Sequence, residues 1–163
     1  MKKPTEIKAP NYIPSKNEIE NHIGYKGNLY VFLAGSIEMG AAELWQDRAV
    51  KMLEGTRWVA INPRRDDWDS SWEQKASNPK FREQVEWELR GLNRAQAIIL
   101  YFDPATKAPI SLLELGLFAR RKIVVVCPEG FWRKGNVDIV CEHWNIQQKN
   151  TLEEAVEWVK QLP

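Results

Sequence analysis

The chain has 163 residues, the size of one domain with one substantial core, and its 23 lysines and arginines nearly cancel 22 aspartates and glutamates. That balance supplies no general field for nucleic acid or an anionic membrane, so neither is an expected partner. Cys127 and Cys141 stand outside any Cys/His ligand spacing and read as reduced thiols, no apolar run reaches the ~20 residues of a membrane span, and MKKPTEIKAPNY lacks a signal-peptide core; the expectation is a cytoplasmic protein with no metal or cofactor.

In chain order, residues 1–28 are polar, carry Pro4, Pro10 and Pro14, and show no sustained period, which predicts an N-terminal arm or lead-in. Four short apolar runs follow: LYVFLA (29–34), WVAIN (58–62), AIILYF (97–102) and KIVVVC (122–127). Continuous runs of this kind suit strands covered on both faces of a parallel sheet. Between them, Ala42, Trp45, Ala49, Met52 and Leu53 mark one helix, and Phe81, Val85, Leu89 and Leu92 mark another after Pro79. Thr151 and Glu154 have capping-box spacing and open a last helix with Leu152, Ala155, Val156, Val159 and Leu162 inward. The alternation predicts a single α/β domain over 29–163: a doubly wound, mostly parallel five-stranded sheet of the flavodoxin/Rossmann-like kind, flanked by helices.

In such a sheet ligands sit beyond the carboxyl ends of the strands. That rule selects GSIEMG (35–40), NPRRDDWDSSW (62–72), DPATKAPIS (103–111) and PEGFWRKGN (128–136). On a helical wheel, taking Phe81 as zero puts Val85 at about 40°, Leu89 at about 80°, Leu92 at about 20° and Glu88 at about −20°, inside the apolar stripe. From Ile110, Leu113 falls at about −60°, Leu117 at about −20°, Phe118 at about 80° and Glu114 at about 40°. Two glutamates on successive helices therefore face inward.

An inward carboxylate costs several kcal/mol unless it is paired or used. One such residue is accounted for by a buried arginine or backbone N–H groups; two flanking one strand point to chemistry. Ser111 is a candidate N-cap, and a helix N-terminus would favour ionised Glu114, whereas the deeper Glu88 is the candidate acid. Carboxylates of unequal acidity are what cleavage of a glycosidic bond needs. Gly35 offers close backbone approach and Ser36 a hydroxyl suited to a sugar or phosphate, while Trp68 and Trp72 could stack on a base or simply anchor their loop. Neither dinucleotide nor phosphate-loop glycine spacing is present, and His22 and His143 assemble no catalytic or metal set.

YVFLAGSI, NPRR, QVEWELRGLNRAQAIILYFDP and SLLELGLFARRKIVVVCPEGFWRKGN resemble the nucleoside 2-deoxyribosyltransferase family, in its divergent transferase-like branch, over roughly residues 29–140. Its nucleophile motif matches Glu114-Leu115-Gly116. The resemblance implies that Glu114 attacks C1′ of a deoxyribonucleoside, that Glu88 handles the base, and that Asn136 is lent to a neighbouring subunit's sugar site in a homodimer or larger homo-oligomer. The family's strand-end tyrosine is replaced by Val31 or Phe32, its acidic residue six before the nucleophile by Ala108, and Glu38 stands where related nucleotide N-glycosidases carry a phosphate-binding arginine, a role left to Arg64, Arg65 or Lys107.

The expected reaction is cleavage, with or without transfer, at the N-glycosidic bond of a 2′-deoxynucleoside or related nucleotide through a deoxyribosyl ester of Glu114. Glu88, or Asp67 or Asp69, supplies the base's proton. Gly35, Ser36, Asp67, Trp68, Asp69 and Asn136 are the expected substrate-binding residues. The alternatives are plain hydrolysis and a nucleotide-binding module without chemistry.

Overall fold

Each of the four apolar runs forms a strand buried on both sides, and the helices between them turn the chain back so that all strands run parallel. The computed structural model describes residues 5–21, 26–37 and 43–163. Its elements are β1 (Glu6–Lys8), α1 (Lys16–Asn21), β2 (Leu29–Gly35), α2 (Trp45–Leu53), β3 (Trp58–Asn62), α3 (Pro79–Arg94), β4 (Ala97–Tyr101), α4 (Pro109–Phe118), β5 (Ile123–Val126), α5 (Lys134–His143), β6 (Gln147–Lys149) and α6 (Leu152–Lys160). Among the predicted features, His22, Glu38, Gly40 and Ala42 lie outside the described residues.

The sheet has six strands rather than five, in the order β1-β3-β2-β4-β5-β6, and every pairing is parallel. The two edges, EIK and QQK, have three residues each and no apolar run, so they give no hydrophobic signal and are held by the ladder they extend. The lead-in thus contributes β1 to the sheet. It also packs on α3: Trp87 Nε1 donates to the Asn11 carbonyl at 2.7 Å and Arg94 Nε to the Pro14 carbonyl at 3.1 Å.

One face of the sheet, with Tyr30, Phe32, Ile61, Ile98, Leu100 and Val125, is covered from α3, α4 and α5. The other, with Val31, Leu33, Ala60, Ile99 and Val124, is covered by α2 and α6. Asn78 caps α3, its side chain accepting from the N–H groups of Lys80 and Phe81, and Pro79 starts the first turn. Gly91 lets α3 approach the sheet, since a Cβ there would stand 2.7 Å from the Phe32 ring. Thr151 accepts from Glu154 N–H as its spacing predicts, although the Glu154 carboxylate returns to Asn150 N–H. Cys127 and Cys141 are buried free thiols.

The strand order reverses between β2 and β4, which places the switch point at Gly35, Ser36 and Tyr101. No helix among the described residues is long and apolar enough to cross a membrane.

Candidate functional site

At the switch point the backbone itself is closed. Gly35 has φ +142°, and a Cβ would fall 2.2 Å from the Tyr101 carbonyl oxygen, so a side chain is excluded by β4. Ser36 N–H donates to that oxygen at 2.9 Å, and the Ser36 carbonyl accepts from Trp45 Nε1 at 3.0 Å. Its hydroxyl accepts from Asp103 N–H at 2.9 Å and from the Thr106 hydroxyl at 2.7 Å, with no exposed surface. The Ser36 hydroxyl expected to meet a ligand is instead turned inward, where it staples β2 to the loop after β4. The close approach expected of Gly35 is to a neighbouring strand.

After β3, Arg65 organises the loop. Its side chain is 1% exposed; Nε and Nη2 meet the two carboxylate oxygens of Asp67 at 2.9 Å each, Nη1 meets Glu83 at 3.1 Å, and the guanidinium lies 5.3 Å from the Trp72 ring centroid. Trp72 packs edge-on to Trp68 at 5.1 Å. Asp67, Trp68 and Trp72 are therefore one assembly built on a buried arginine. The Arg65 fork holds the Asp67 carboxyl below its usual range, and the hydroxyl and N–H of Ser71 do the same for Asp69. Both stay ionised at neutral pH, so neither fits the role of a proton-supplying acid that their position after β3 suggested. Among the phosphate-binding candidates, Arg65 is committed to two carboxylates and Lys107 lies 6.0 Å from the Trp132 ring centroid. Arg64 Nε is buried without a partner.

Glu88 and Glu114 are brought together, from α3 and α4. Glu114 is 9% exposed; burial pushes its carboxyl up to about 8, and the neighbouring Glu88 charge adds to the rise. Burial also raises Glu88, against which a 2.9 Å hydrogen bond donated by Gln84 Nε2 pulls downward. No cation enters the balance at Glu114. The favoured ionisation expected of Glu114 is reversed by burial and by the Glu88 charge, and no helix terminus offsets them because Ser111 is not the N-cap: α4 begins at Pro109 after Ala108, which holds the left-handed φ of +43°. Ser111 is itself buried in the third position, and Glu114 lies in the second turn, beyond the reach of the helix N-terminus.

The remaining expected residue, Asn136, stands exposed in the first turn of α5, and no described hydrogen bond joins it to either glutamate. Two open surface hollows, of about 320 and 250 Å³, lie around Gly116–Arg121 and Trp144, at the amino ends of the strands. They are away from the glutamate pair and from the strand ends where this architecture binds ligands. Sequence reasoning missed Gln84 and the anchoring role of Arg65. Gln84 stands four residues before Glu88, a spacing that stacks the two on one helix face.

Fold and site together define a doubly wound α/β protein with two neighbouring carboxyls, Glu114 buried and Glu88 half-buried, carried by two helices of one layer. Residues 28–131, more than half of the chain and including both glutamates, match the family described as nucleoside 2-deoxyribosyltransferase like. The chain belongs to that family. Asn136 falls beyond the matched segment. A comparison with curated proteins gives no match.

Proposed function

We propose that the protein breaks, and with an acceptor base re-forms, the N-glycosidic bond of a 2′-deoxynucleoside or related nucleoside or nucleotide. The observation that carries this reading is the pair itself: two glutamates from successive helices of the family segment, Glu114 buried and Glu88 half-buried, near enough that the Glu88 charge acts on Glu114, with no cation to compensate them. A purely structural buried carboxylate would be expected to have an arginine or several N–H donors.

In this reading a Glu114 carboxylate oxygen attacks C1′, the base leaves with a proton delivered by way of Glu88, and a second base or water resolves the ester. With Asp67 and Asp69 held ionised, the pair is the site's source of protons. Trp68, supported by Trp72, offers a face to the base, with Asp67 and Asp69 at the rim; Gly35 and Ser36 shape the floor beneath the sugar. Asn136 serves a neighbouring subunit, which makes the active form a homodimer or larger homo-oligomer. Its exposed place in the first turn of α5, with no described hydrogen bond to its own chain's pair, suits that role.

Incubation with mixed deoxynucleosides, with and without an added acceptor base, tests the reaction by chromatography. Exchanged nucleoside supports transfer, and free base without exchange supports hydrolysis. Absence of turnover on all of them, with Glu114→Ala indistinguishable from wild type, rejects the catalytic reading in favour of a binding module.

A further inference from the structure

Gln84 lies one turn before Glu88 on α3 and is 5% exposed. Both hydrogens of its amide are used: Nε2 donates to the Pro63 carbonyl at 2.8 Å and to Glu88 Oε1 at 2.9 Å. A flipped amide would set its oxygen against two acceptors, so the orientation is fixed. Gln84 Oε1 is buried with no partner, and nothing competes for the amide from that side. Glu114 has no such donor among the described residues. The two carboxyls are thus built unequally, one with a dedicated N–H donor and one without.

We propose that Gln84 decides which carboxyl of the pair holds its single proton: the hydrogen bond it donates keeps Glu88 the anion and leaves the proton on Glu114. A donated N–H stabilises a carboxylate over a carboxylic acid, and two carboxyls close enough for the charge of one to act on the other, in a site largely shielded from water, do not both ionise readily. Among the described residues, the charged surroundings are sparse enough for one hydrogen bond to decide. From α3 the charge acting on Glu114 is Glu88, while Arg82 on that helix pairs with Glu86. From the loop after β3, Arg65 is committed to Asp67 and Glu83. Phe32, Ala34, Leu100 and Phe102 of the sheet and its strand ends, on this same side, are uncharged. The rise of Glu114 to about 8 agrees with this assignment.

The mechanistic consequence rests on the glycosidic reading above; the protonation order does not. With the proton on Glu114, the resting nucleophile is neutral. It becomes reactive when its proton passes to Glu88: the O–H bond at Glu114 breaks and one at Glu88 forms. That proton then goes to the departing base nitrogen as the C1′–N bond breaks toward the base and the Glu114 oxygen bonds C1′. One proton moves from Glu114 to the base, and Glu88 ends as the anion it began as. Gln84 is then a positioning residue, acting through Glu88.

Carboxyl-labelled glutamate NMR, assigned with Glu88→Gln and Glu114→Gln, reads the two titrations separately. In the wild type Glu88 is expected to lose its proton first and Glu114 second. Gln84→Met keeps the volume and removes the donor; it is expected to lower the Glu114 midpoint by at least about one pH unit, a tenfold change in ionisation, and to raise that of Glu88. With a substrate whose leaving group needs no proton, the pH midpoint of kcat/KM should fall in parallel. A wild type in which Glu114 titrates first overturns the proposal whether or not the variant folds, as does a folded Gln84→Met protein with the order unchanged. A wild type that turns over no nucleoside removes the glycosidic reading, and the titration order still decides the role of Gln84.

Discussion

A carboxyl raised by burial leaves a signature in stability as well as in catalysis. Glu114 binds its proton more tightly folded, at about 8, than unfolded, at the ordinary glutamate value of 4.5. The folded state therefore holds more protons between these limits, and stability falls as pH rises through that window, by at most about 4–5 kcal/mol for a shift of this size. Below the window the penalty is absent, and above it the loss is complete. Glu114→Gln should flatten the decline and melt higher than wild type at pH 8, while activity falls by orders of magnitude. Melting curves from pH 4 to 9 that fall equally in both proteins would return Glu114 to an ordinary solvated carboxylate. The inward direction of Glu88 and Glu114 was legible only in part: the wheels were drawn through Leu89, Ile110, Leu113 and Leu117, which are exposed, and Glu114 is covered because it shares a side with Ser111, Leu115 and Phe118. The ionisation of the two glutamates was not legible, because it depends on where α4 begins and on a glutamine that no apolar period marks. The same limit concealed Arg65, whose burial follows from the turn that brings Asp67 back onto it. Arg65→Met should destabilise the domain by roughly 1–3 kcal/mol and release Asp67 to titrate at an ordinary value; the cost stays moderate because both acidic partners remain half-exposed to water. Unchanged melting together with an unchanged Asp67 titration would remove the anchor.

At the scale of elements, the four central strands could be read nearly to the residue, since a strand covered on both faces is an uninterrupted apolar run. The helix faces were less well read. The buried side of α3 is centred on Gln84, Trp87 and Gly91, with Leu92, about 100° from the stripe drawn through Phe81, Val85 and Leu89; Leu89 is 41% exposed. Hydrophobicity alone cannot find a contact face that includes a glutamine and a glycine. Gly91 supplies the test. Alanine normally stabilises a helix interior by about 1 kcal/mol over glycine. Here its Cβ would meet the fully buried Phe32 ring at 2.7–2.8 Å and an Ile61 methyl at 3.0 Å, so overpacking of about 1–3 kcal/mol should outweigh that gain and make Gly91→Ala destabilising. Gly116, on the exposed side of α4 with open space around it, should show the opposite sign in an isolated chain. If both alanines stabilise in denaturant titrations, α3 does not pack on the sheet as closely as described.

For the whole molecule, the same helical layer that carries the glutamates also carries five of the exposed large apolar side chains among the described residues. Ile110, Leu113 and Leu117, expected to face the core, are 57–61% exposed on α4, joined in the layer by Leu89 on α3 and Ile139 on α5. Helix α4 is apolar around most of its circumference, so its sequence could not say which side meets the sheet. A stripe of this kind leaves apolar area to be covered, and in the proposed reading a second copy of the chain is the partner that would also bring Asn136 to a glutamate pair to which no described hydrogen bond ties it within its own chain. Two experiments separate these claims. Leu113→Glu with Leu117→Glu should shift the protein to monomers in sedimentation while leaving its circular dichroism intact, since both side chains are outside the core. Glu114→Ala and Asn136→Ala, each inactive as a pure protein, should recover activity when mixed and allowed to exchange subunits. A hybrid then places an intact Glu114 opposite an intact Asn136 in one of its sites. Recovery to about a quarter of wild-type activity is the expectation for random dimers, in which half the molecules hold one good site of two. An oligomer that exchanges subunits yet recovers nothing would confine the site to a single chain and leave Asn136 with no part in it.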